Sequence, residues 1–568
     1  MSIVDRLAAA RGDVAADLVL RNGQLVNVIS GEIYLTDIVI HDRHVVALGA
    51  GYSGRREVDL AGMFVAPGLI DAHVHIESSL VTPPEFARAV LPHGVTTVVT
   101  DPHEIANVLG LEGMRYMLER AKNVPLNMYV MASSCVPATA METSGARLEA
   151  EDLAQLVDHP WVLGLAELMN YPAVALGDEG MLDKIALFKG RALDGHAPAM
   201  TGLMLNAYAA AGVQSEHECT TVAEAREKLR LGLTIFIREG TTTRNLMPLL
   251  PLITAENQAA ICFCTDDRMP ADLIDEGSID HMLRVAIRSG IDPIMAIRMG
   301  SYNSARHFGL KKHGAVAPGK YADIVVVPDL QDFQPAQVYR GGNLVAQDGK
   351  MVGERGDSRR IDLRSTMNIS AAPLDFSIKA GGGRIRVIGA IADQVATEHL
   401  VERATIVDGF AVSDVERDIL KFAMLERHRA SGNIGLAFIK GFGLRRGAIA
   451  GSVAHDHHNL AVIGVDDDSM KNAVAAVVEM GGGLAAVDGG AVLARLPLPV
   501  AGLLSELPIE AARVQYDGLI EAARTLGNRM SDPFMAMSFM GLEVIPKLKL
   551  TDMGLVDVEQ FKLVDLFV

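Results

Sequence analysis

Positive charge is scarce in this chain: 52 lysines and arginines stand against 70 aspartates and glutamates, a formal net charge of −18. The basic residues cluster no further than pairs, so the basic patch that a polyanion demands is missing and a nucleic-acid partner is excluded. Long apolar runs are missing too. Hydrophobic residues make up 49%, but charges and glycines break them up before any stretch reaches the roughly 18 to 20 residues needed to span a bilayer, which argues against a membrane partner. Only four cysteines occur, Cys135, Cys219, Cys262 and Cys264, with no Cys-x-x-Cys spacing. Neither a disulfide framework nor a cysteine zinc site is indicated, and a cytoplasmic location is expected. Residues 1–16 mix apolar and charged side chains without an apolar core and cleavage site, so no secretion signal is expected there.

With 568 residues, the length suggests three or four domains, or fewer if a barrel is present. From residue 16 to 65 the pattern is short strands punctuated by turns such as Asn22-Gly23 and Ser30-Gly31, and the pattern returns in Gly319-Lys320-Tyr321-Ala322-Asp323-Ile324 and around Gly341-Gly342. The two pieces are expected to complete one sheet domain. Between them, apolar β-rich runs alternate with helical stretches, as in repeated βα units. Eight candidate strands fall at 64–72, 96–101, 126–133, 162–168, 192–194, 212–215, 234–238 and 260–265. The expected fold is α/β: a TIM-like (β/α)8 barrel over 65–315, a small composite β-sandwich domain from 1–64 and 316–370, and a C-terminal α+β domain over 371–568. In the last, helices are predicted over 469–480 and 511–526, and linkers at 371–373 and 381–383.

Catalytic residues of such a barrel sit at the carboxyl ends of its strands. In the run Pro67-Gly68-Leu69-Ile70-Asp71-Ala72-His73-Val74-His75 the two histidines follow the first strand at a spacing that lets both grip one ion. His103 and Glu104 follow the second strand, Glu167 lies in the fourth, His196 follows the fifth, His217 the sixth and Asp266 the eighth. Singly, each has an ordinary reading as a solvated loop residue or a helix cap; as a set they point to a shared site. Two divalent ions close together can share a water and lower its pKa, and one carboxylate between them offsets their repulsion. Glu167 is the candidate bridge. Imidazoles with carboxylates suit zinc, manganese or iron alike. Asp266 can ligate and also accept the proton of the attacking water.

These motifs, with the flanking sheet closed by Pro318-Gly319-Lys320-Tyr321-Ala322-Asp323-Ile324, resemble the amidohydrolase superfamily over about residues 16–365. More narrowly, His73-Val74-His75-Ile76-Glu77-Ser78-Ser79, Thr100-Asp101-Pro102-His103-Glu104-Ile105-Ala106, Ala166-Glu167-Leu168-Met169-Asn170, Asp194-Gly195-His196-Ala197-Pro198 and Cys264-Thr265-Asp266-Asp267 resemble the bacterial adenine deaminases. The later segment His455-Asp456-His457-His458-Asn459 resembles the extra C-terminal domain of that family. Many superfamily members bridge their metals with a carboxylated lysine in the fourth strand; Glu167 there disfavours the hydantoinase and dihydroorotase types. The cytidine-deaminase zinc site is excluded by the missing Pro-Cys-x-x-Cys element.

The resemblance implies hydrolysis of adenine to hypoxanthine and ammonia, a purine-salvage reaction in which a metal-bound hydroxide attacks C6. The alternative is an amidohydrolase acting on a cyclic amide or another aminopurine. The implied cofactors are two divalent metal ions, Mn²⁺ first, with Fe²⁺ or Zn²⁺ as alternatives, held by His73, His75, Glu167, His196, His217 and Asp266. The ring resists attack until N1 is protonated, so an acid is needed. Glu77 and Glu104 are its candidates, with His103 as a shuttle to the leaving nitrogen. Arg238 and Glu239 are candidate contacts to the purine edge, against the plainer alternative that the two pair with each other. His455 and His457 are expected to close the barrel mouth, against a plain polar loop. The expected partner is a small-molecule purine, and the expected assembly a homo-oligomer. A scaffold protein that has lost its ligands is the non-enzymatic alternative, and every expected ligand position here is filled.

Overall fold

The structure, a computed structural model, describes residues 3–353, 361–370, 372–392 and 394–568. The first sheet is built from both ends of a long insertion. Strands Ala16–Asn27, Glu32–His41, His44–Leu48, Gly54–Asp59 and Phe64–Pro67 join Ile324–Val327, Gln337–Arg340, Asn343–Gln347 and Lys350–Met351 in one nine-stranded sheet. The seam is the antiparallel pair Phe64–Pro67 with Ile324–Val327, where Val65 faces Val326. Ala16–Asn27 shifts register between Leu20 and Gly23, so its first half pairs with Gly54–Asp59 and its second half with Phe64–Pro67. Leu18, Leu20, Leu25, Ile38, Val65, Ile324 and Val326 fill the core this bend encloses.

The sequence reads residues 64–72 as one strand, but the structure divides it at Gly68. Phe64–Pro67 belongs to the composite sheet and Leu69–Val74 opens the barrel. A Cβ on Gly68 would lie 2.1 Å from Thr96 Oγ1, so only glycine lets the chain cross from one sheet to the other at this point.

Eight parallel strands form the barrel: Leu69–Val74, Val95–Thr100, Asn127–Ala132, Val162–Leu168, Ala192–Gly195, Ser215–Glu216, Thr234–Arg238 and Ile261–Cys264. The first five form one sheet and the last three another. At one seam the Gln214 amide donates to the Leu193 carbonyl at 2.9 Å, and at the other the Asp266 amide donates to the His73 carbonyl at 3.0 Å. Val74 and Asp266 form a parallel bridge there, which closes the ring. Ile70, Ala72, Val99, Met131, Ala166, Phe236, Cys262 and Cys264 pack together as its filling. All four cysteines are buried and unpaired.

The C-terminal part is an eight-stranded sheet running from Thr397–Arg403 at one edge to Ala491–Pro497 at the other. Helix Asp467–Glu479 is capped by Asp466, whose side chain accepts from the Ser469 amide, and it buries Met470, Ala473, Val474 and Val477 against one face. The opposite face, with Phe422, Met424, Ile449 and Ala486, shares a core with helix Ile509–Thr525 and the outside of the barrel. Both helices lie where they are predicted, within two residues. Of the expected linkers, Ala371 lies outside the described residues, and Gly381–Gly383 leads into strand Arg384–Ala390. Among the described residues no helix is long and apolar enough to cross a membrane.

Candidate active site

The strand-end residues meet. His73 Nε2 and His75 Nε2 are 3.0 Å apart. Glu167 stands between two histidine pairs: Oε1 lies 3.3 Å from His75 Nε2 and 3.8 Å from His73 Nε2, and Oε2 lies 2.7 Å from His196 Nδ1 and 3.3 Å from His217 Nε2. Asp266 Oδ1 completes the first group, 3.2 Å from His75 Nε2 and 3.6 Å from His73 Nε2. All six side chains are buried.

The local folding explains the convergence. Asp71, with no exposure to solvent, accepts the Thr265 amide at 3.0 Å and the Thr265 hydroxyl at 2.5 Å, which ties the first strand to the eighth just below His73 and Asp266. Asp266 holds a φ of 59°, in the left-handed region, and its backbone carbonyl accepts the His75 amide at 3.3 Å. On the far side Glu216 accepts the amides of Ala197, at 2.9 Å, and Glu218, at 2.7 Å, which sets the loops bearing His196 and His217 side by side.

The donor set fits metal ions. His75 Nδ1 donates its proton to the Asp101 carbonyl at 2.9 Å, so Nε2 presents a lone pair. That lone pair faces His73 Nε2, Glu167 Oε1 and Asp266 Oδ1, three more electron-pair donors within 3.3 Å. Such a cluster is repulsive without a cation at its centre. His73, Glu167 and His217 form one such group, and His73, His75 and Asp266 another. Two carboxylates among the histidines leave the identity of the metal open.

Electrostatics follow the same pattern. Burial opposes ionisation of Glu167, but the surrounding imidazoles of His196, His217 and His75 outweigh it and hold the carboxyl well below the usual range. Burial also opposes ionisation of Asp266, and the Arg238 guanidinium with His73 and His75 reverses that. Arg238 Nη1 lies 2.7 Å from Asp266 Oδ2, and the same guanidinium grips Glu218 with both Nη atoms. Glu218, 3.6 Å from both His196 Nδ1 and His217 Nε2, is a site residue that the sequence reading misses, although it adjoins His217. Asp101 is missed as well: it holds His75 through its carbonyl and lies 3.2 Å from His103 Nδ1 through its carboxylate.

A narrow chamber of about 50 Å³ lies over the cluster, walled by His75, His103, Glu104, Glu167, His217 and Asp266 from the barrel and by Val395, His455, Asp456, Phe539 and Ile545 from the C-terminal part. It shares Glu218, Arg238, Thr243, Val395 and Ile545 with an outer vestibule of about 1250 Å³. Glu104 is clamped by the C-terminal part: His455 Nδ1 lies 2.6 Å from its Oε1, and His458 Nε2 contacts its Oε2. Glu77 sits behind the wall. Its Oε1 accepts the Ile105 amide at 3.2 Å and its Oε2 has no partner. Burial, then the nearby Glu104 charge, pushes its carboxyl up to about 7.

Two expectations are corrected. Glu239 neither lines the chamber nor pairs with Arg238; its carboxylate accepts the Leu246 amide at 3.0 Å, because alternation along the strand turns it away from its neighbour. His457 also lies outside the wall. Its Nδ1 accepts the Asn459 amide at 3.0 Å, its Nε2 packs against Gly541, and burial with the neighbouring His458 depresses its basicity to about 3. It is a neutral core histidine.

Residues 64–345 match the model of the amidohydrolase family, and residues 394–562 match the adenine deaminase C-terminal domain. Over nearly all of both chains the sequence is 51% identical to adenine deaminase from Desulfatibacillum aliphaticivorans (99% of each chain) and 48% identical to that from Methanothrix thermoacetophila (100% of each). It is 46% identical to adenine deaminase from Cereibacter sphaeroides, again over 99% of each chain. Among solved structures it is similar to a β-aspartyl dipeptidase from Fervidobacterium islandicum, with a TM-score of 0.45 and 18% identity over 59% of this chain and 99% of that one.

Proposed function

The chain belongs to the amidohydrolase family and, within it, to the adenine deaminases, and from that premise we propose that it hydrolyses adenine at C6 to hypoxanthine and ammonia. The observation that carries this reading is Glu167, whose two oxygens face two separate histidine pairs beside Asp266. His73, His75, Glu167, His196, His217 and Asp266 would hold two divalent ions, with Mn²⁺ the leading candidate and Fe²⁺ or Zn²⁺ the alternatives. When bound, such ions supply Lewis-acid activation of a water near neutral pH.

The remaining chemistry falls to the side chains. Asp266, kept ionised beside Arg238, accepts the proton of the attacking water. A carboxyl must carry a proton to give one to N1. Glu104 accepts from two imidazoles, and the charge of His455 with these hydrogen bonds outweighs its burial and holds it well below the usual range, so it stays ionised. Glu77 is pushed up to about 7 by burial and by Glu104, but it sits behind the chamber wall, so it does not meet N1 directly. Arg238 lines both chamber and vestibule, where it can meet the purine edge while it holds Glu218 and Asp266. Val395, Phe539, Leu542 and Ile545 give the chamber an apolar roof that keeps out water.

Four buried, unpaired cysteines suit a reducing compartment, which supports a cytoplasmic enzyme of purine salvage. Exposed Leu176 and Leu203, at 77% and 89%, lie on two helices that pack together and support a homo-oligomer, to be read by light scattering. The activity is tested by ammonia release from adenine, with dihydroorotate and hydantoin in parallel. Release from adenine alone is expected; turnover of a cyclic amide without adenine turnover would replace this reading with that of an amide hydrolase.

A further inference from the structure

Glu104 begins the helix that follows the second barrel strand, and His455 belongs to the C-terminal part, 351 residues away along the chain. They meet inside the molecule at 2.6 Å, each less than 5% exposed. Glu104, His455 and His458 together have the composition of a cation site. The protons argue otherwise. The Ala454 amide donates to His458 Nδ1 at 3.2 Å, so the proton of that ring sits on Nε2 and points at Glu104 Oε2. His455 likewise turns a nitrogen on the ionised carboxylate. Both imidazoles therefore present N–H groups where a metal would need lone pairs.

With Nδ1 committed to Glu104, His455 has one nitrogen left. Nε2 is buried, has no hydrogen-bond partner, and belongs to a ring that lines the chamber. Phe539 stacks on that ring at 4.5 Å and 11°, which fixes its plane. A carboxylate orienting one imidazole nitrogen while the other is presented to a reacting group is the arrangement used by acid and base histidines. His103, the other histidine at this rim, has no such freedom. Its Nδ1 lies 3.2 Å from Asp101 and 3.3 Å from Glu167, and its Nε2 lies 3.5 Å from Glu104 and 3.6 Å from Asp456.

We propose that His455 is a catalytic acid supplied by the C-terminal part, which gives its Nε2 proton to the amino nitrogen leaving C6 while Glu104 holds the ring. This rests on the adenine deaminase reading. In the step, the Nε2–H bond breaks and an N–H bond forms on the amino nitrogen. The C6–N bond then breaks with its electron pair going to ammonia, and neutral His455 keeps the Nδ1 proton toward Glu104. The two protons of the consumed water balance the cycle: one replaces the proton lost from His455, and the other ends on hypoxanthine. The surroundings suit an acid. Burial disfavours the imidazolium, but Glu104, Asp267 and Asp456 around it outweigh burial and the nearby His458 and raise His455 to about 9. An acid of that strength matches the tetrahedral amine of the intermediate, a much stronger base than ring N1.

The test uses the Mn²⁺-loaded full-length enzyme with His455→Asn, which keeps a donor toward Glu104 and removes the unpartnered nitrogen, and His455→Gln, which places a neutral amide near Nε2. Adenine is compared with 6-chloropurine, whose chloride leaves without a proton. Both variants are expected to lose roughly 10²- to 10⁴-fold in kcat on adenine and no more than about 3-fold on 6-chloropurine, with metal content retained. The fall of wild-type kcat above pH ~9 is expected to vanish in both. Equal losses on the two purines, with or without loss of metal, overturn the proposal, as does a His455→Gln variant within about 3-fold of wild type on adenine. Wild-type protein inactive on adenine is a separate result that removes the functional reading itself and this step with it.

Discussion

Lys228, with no exposure to solvent, carries its ammonium 3.3 Å from the Glu216 carboxylate and donates at 2.8 Å to the Ala197 carbonyl. Ala197 follows His196 and Glu216 precedes His217, so one buried ion pair spaces two of the candidate metal ligands. Breaking such a pair from one side leaves an uncompensated buried charge, at a cost of about 3–5 kcal/mol. Lys228→Met is expected to lower the melting temperature and to weaken Mn²⁺ retention on dialysis. An unchanged metal content would mean that the two loops hold their spacing without it.

Glu167→Gln keeps the shape of the side chain and removes its charge. With no anion between the two histidine pairs, the bound metal per chain is expected to fall from two ions to one or fewer, with kcat reduced by roughly 10³-fold or more. Elemental analysis beside the adenine assay reads both. Two retained ions would remove Glu167 from the bridging position.

Gly164 lies in the fourth strand, three residues before Glu167, and a Cβ there would sit 2.0 Å from the Ala192 carbonyl oxygen. The neighbour is backbone and cannot turn aside. Gly164→Ala is expected to cost about 1–3 kcal/mol or more by forcing the fourth and fifth strands apart, and to lower kcat by shifting Glu167 against His196. A variant with wild-type melting and activity would contradict the tight pairing of those strands.

Lys549 is fully buried, with Nζ donating to the Val395 carbonyl at 2.7 Å and the Phe539 carbonyl at 2.9 Å, two residues of the chamber roof. Burial depresses its pKa to about 7 against the opposing pull of Glu543. The unfolded chain holds that proton up to about pH 10.4, so between pH 7 and ~10 the unfolded state binds more protons and stability rises with pH. Below pH 7 both states are charged and the full burial cost applies. Relative to Lys549→Met, wild-type stability is expected to rise across that window by about 4–5 kcal/mol, read as a rise in wild-type minus variant melting temperature. A flat difference would contradict the depressed basicity.

The convergence of the candidate ligands was legible in the sequence because the barrel rule converts position into place. His73, His75, His196, His217 and Asp266 each follow an apolar β run, and eight such runs close into a ring whose carboxyl ends converge. What strand order cannot show is which partner a side chain meets across the ring. Arg238 reaches Glu218 and Asp266 on the neighbouring strands, while adjacent Glu239 faces away, a consequence of alternation that pairing by sequence adjacency misjudges. Gly68 looked like part of an unbroken strand because the close approach of Thr96, which requires a glycine there, comes from the next strand. His455 and His457 read alike in one polar run. The fold of the loop turns the first onto Glu104 and buries the second against Gly541.

The most direct test of the central claim is kcat for adenine, followed by the change in ultraviolet absorbance, in Mn²⁺-loaded wild-type protein and in Asp266→Asn. Conversion to hypoxanthine by the wild type, with a loss of roughly 10³-fold or more in the variant at retained folding, is the predicted result. Adenine left intact by the metal-loaded wild type, or substantial turnover by Asp266→Asn, would contradict the account.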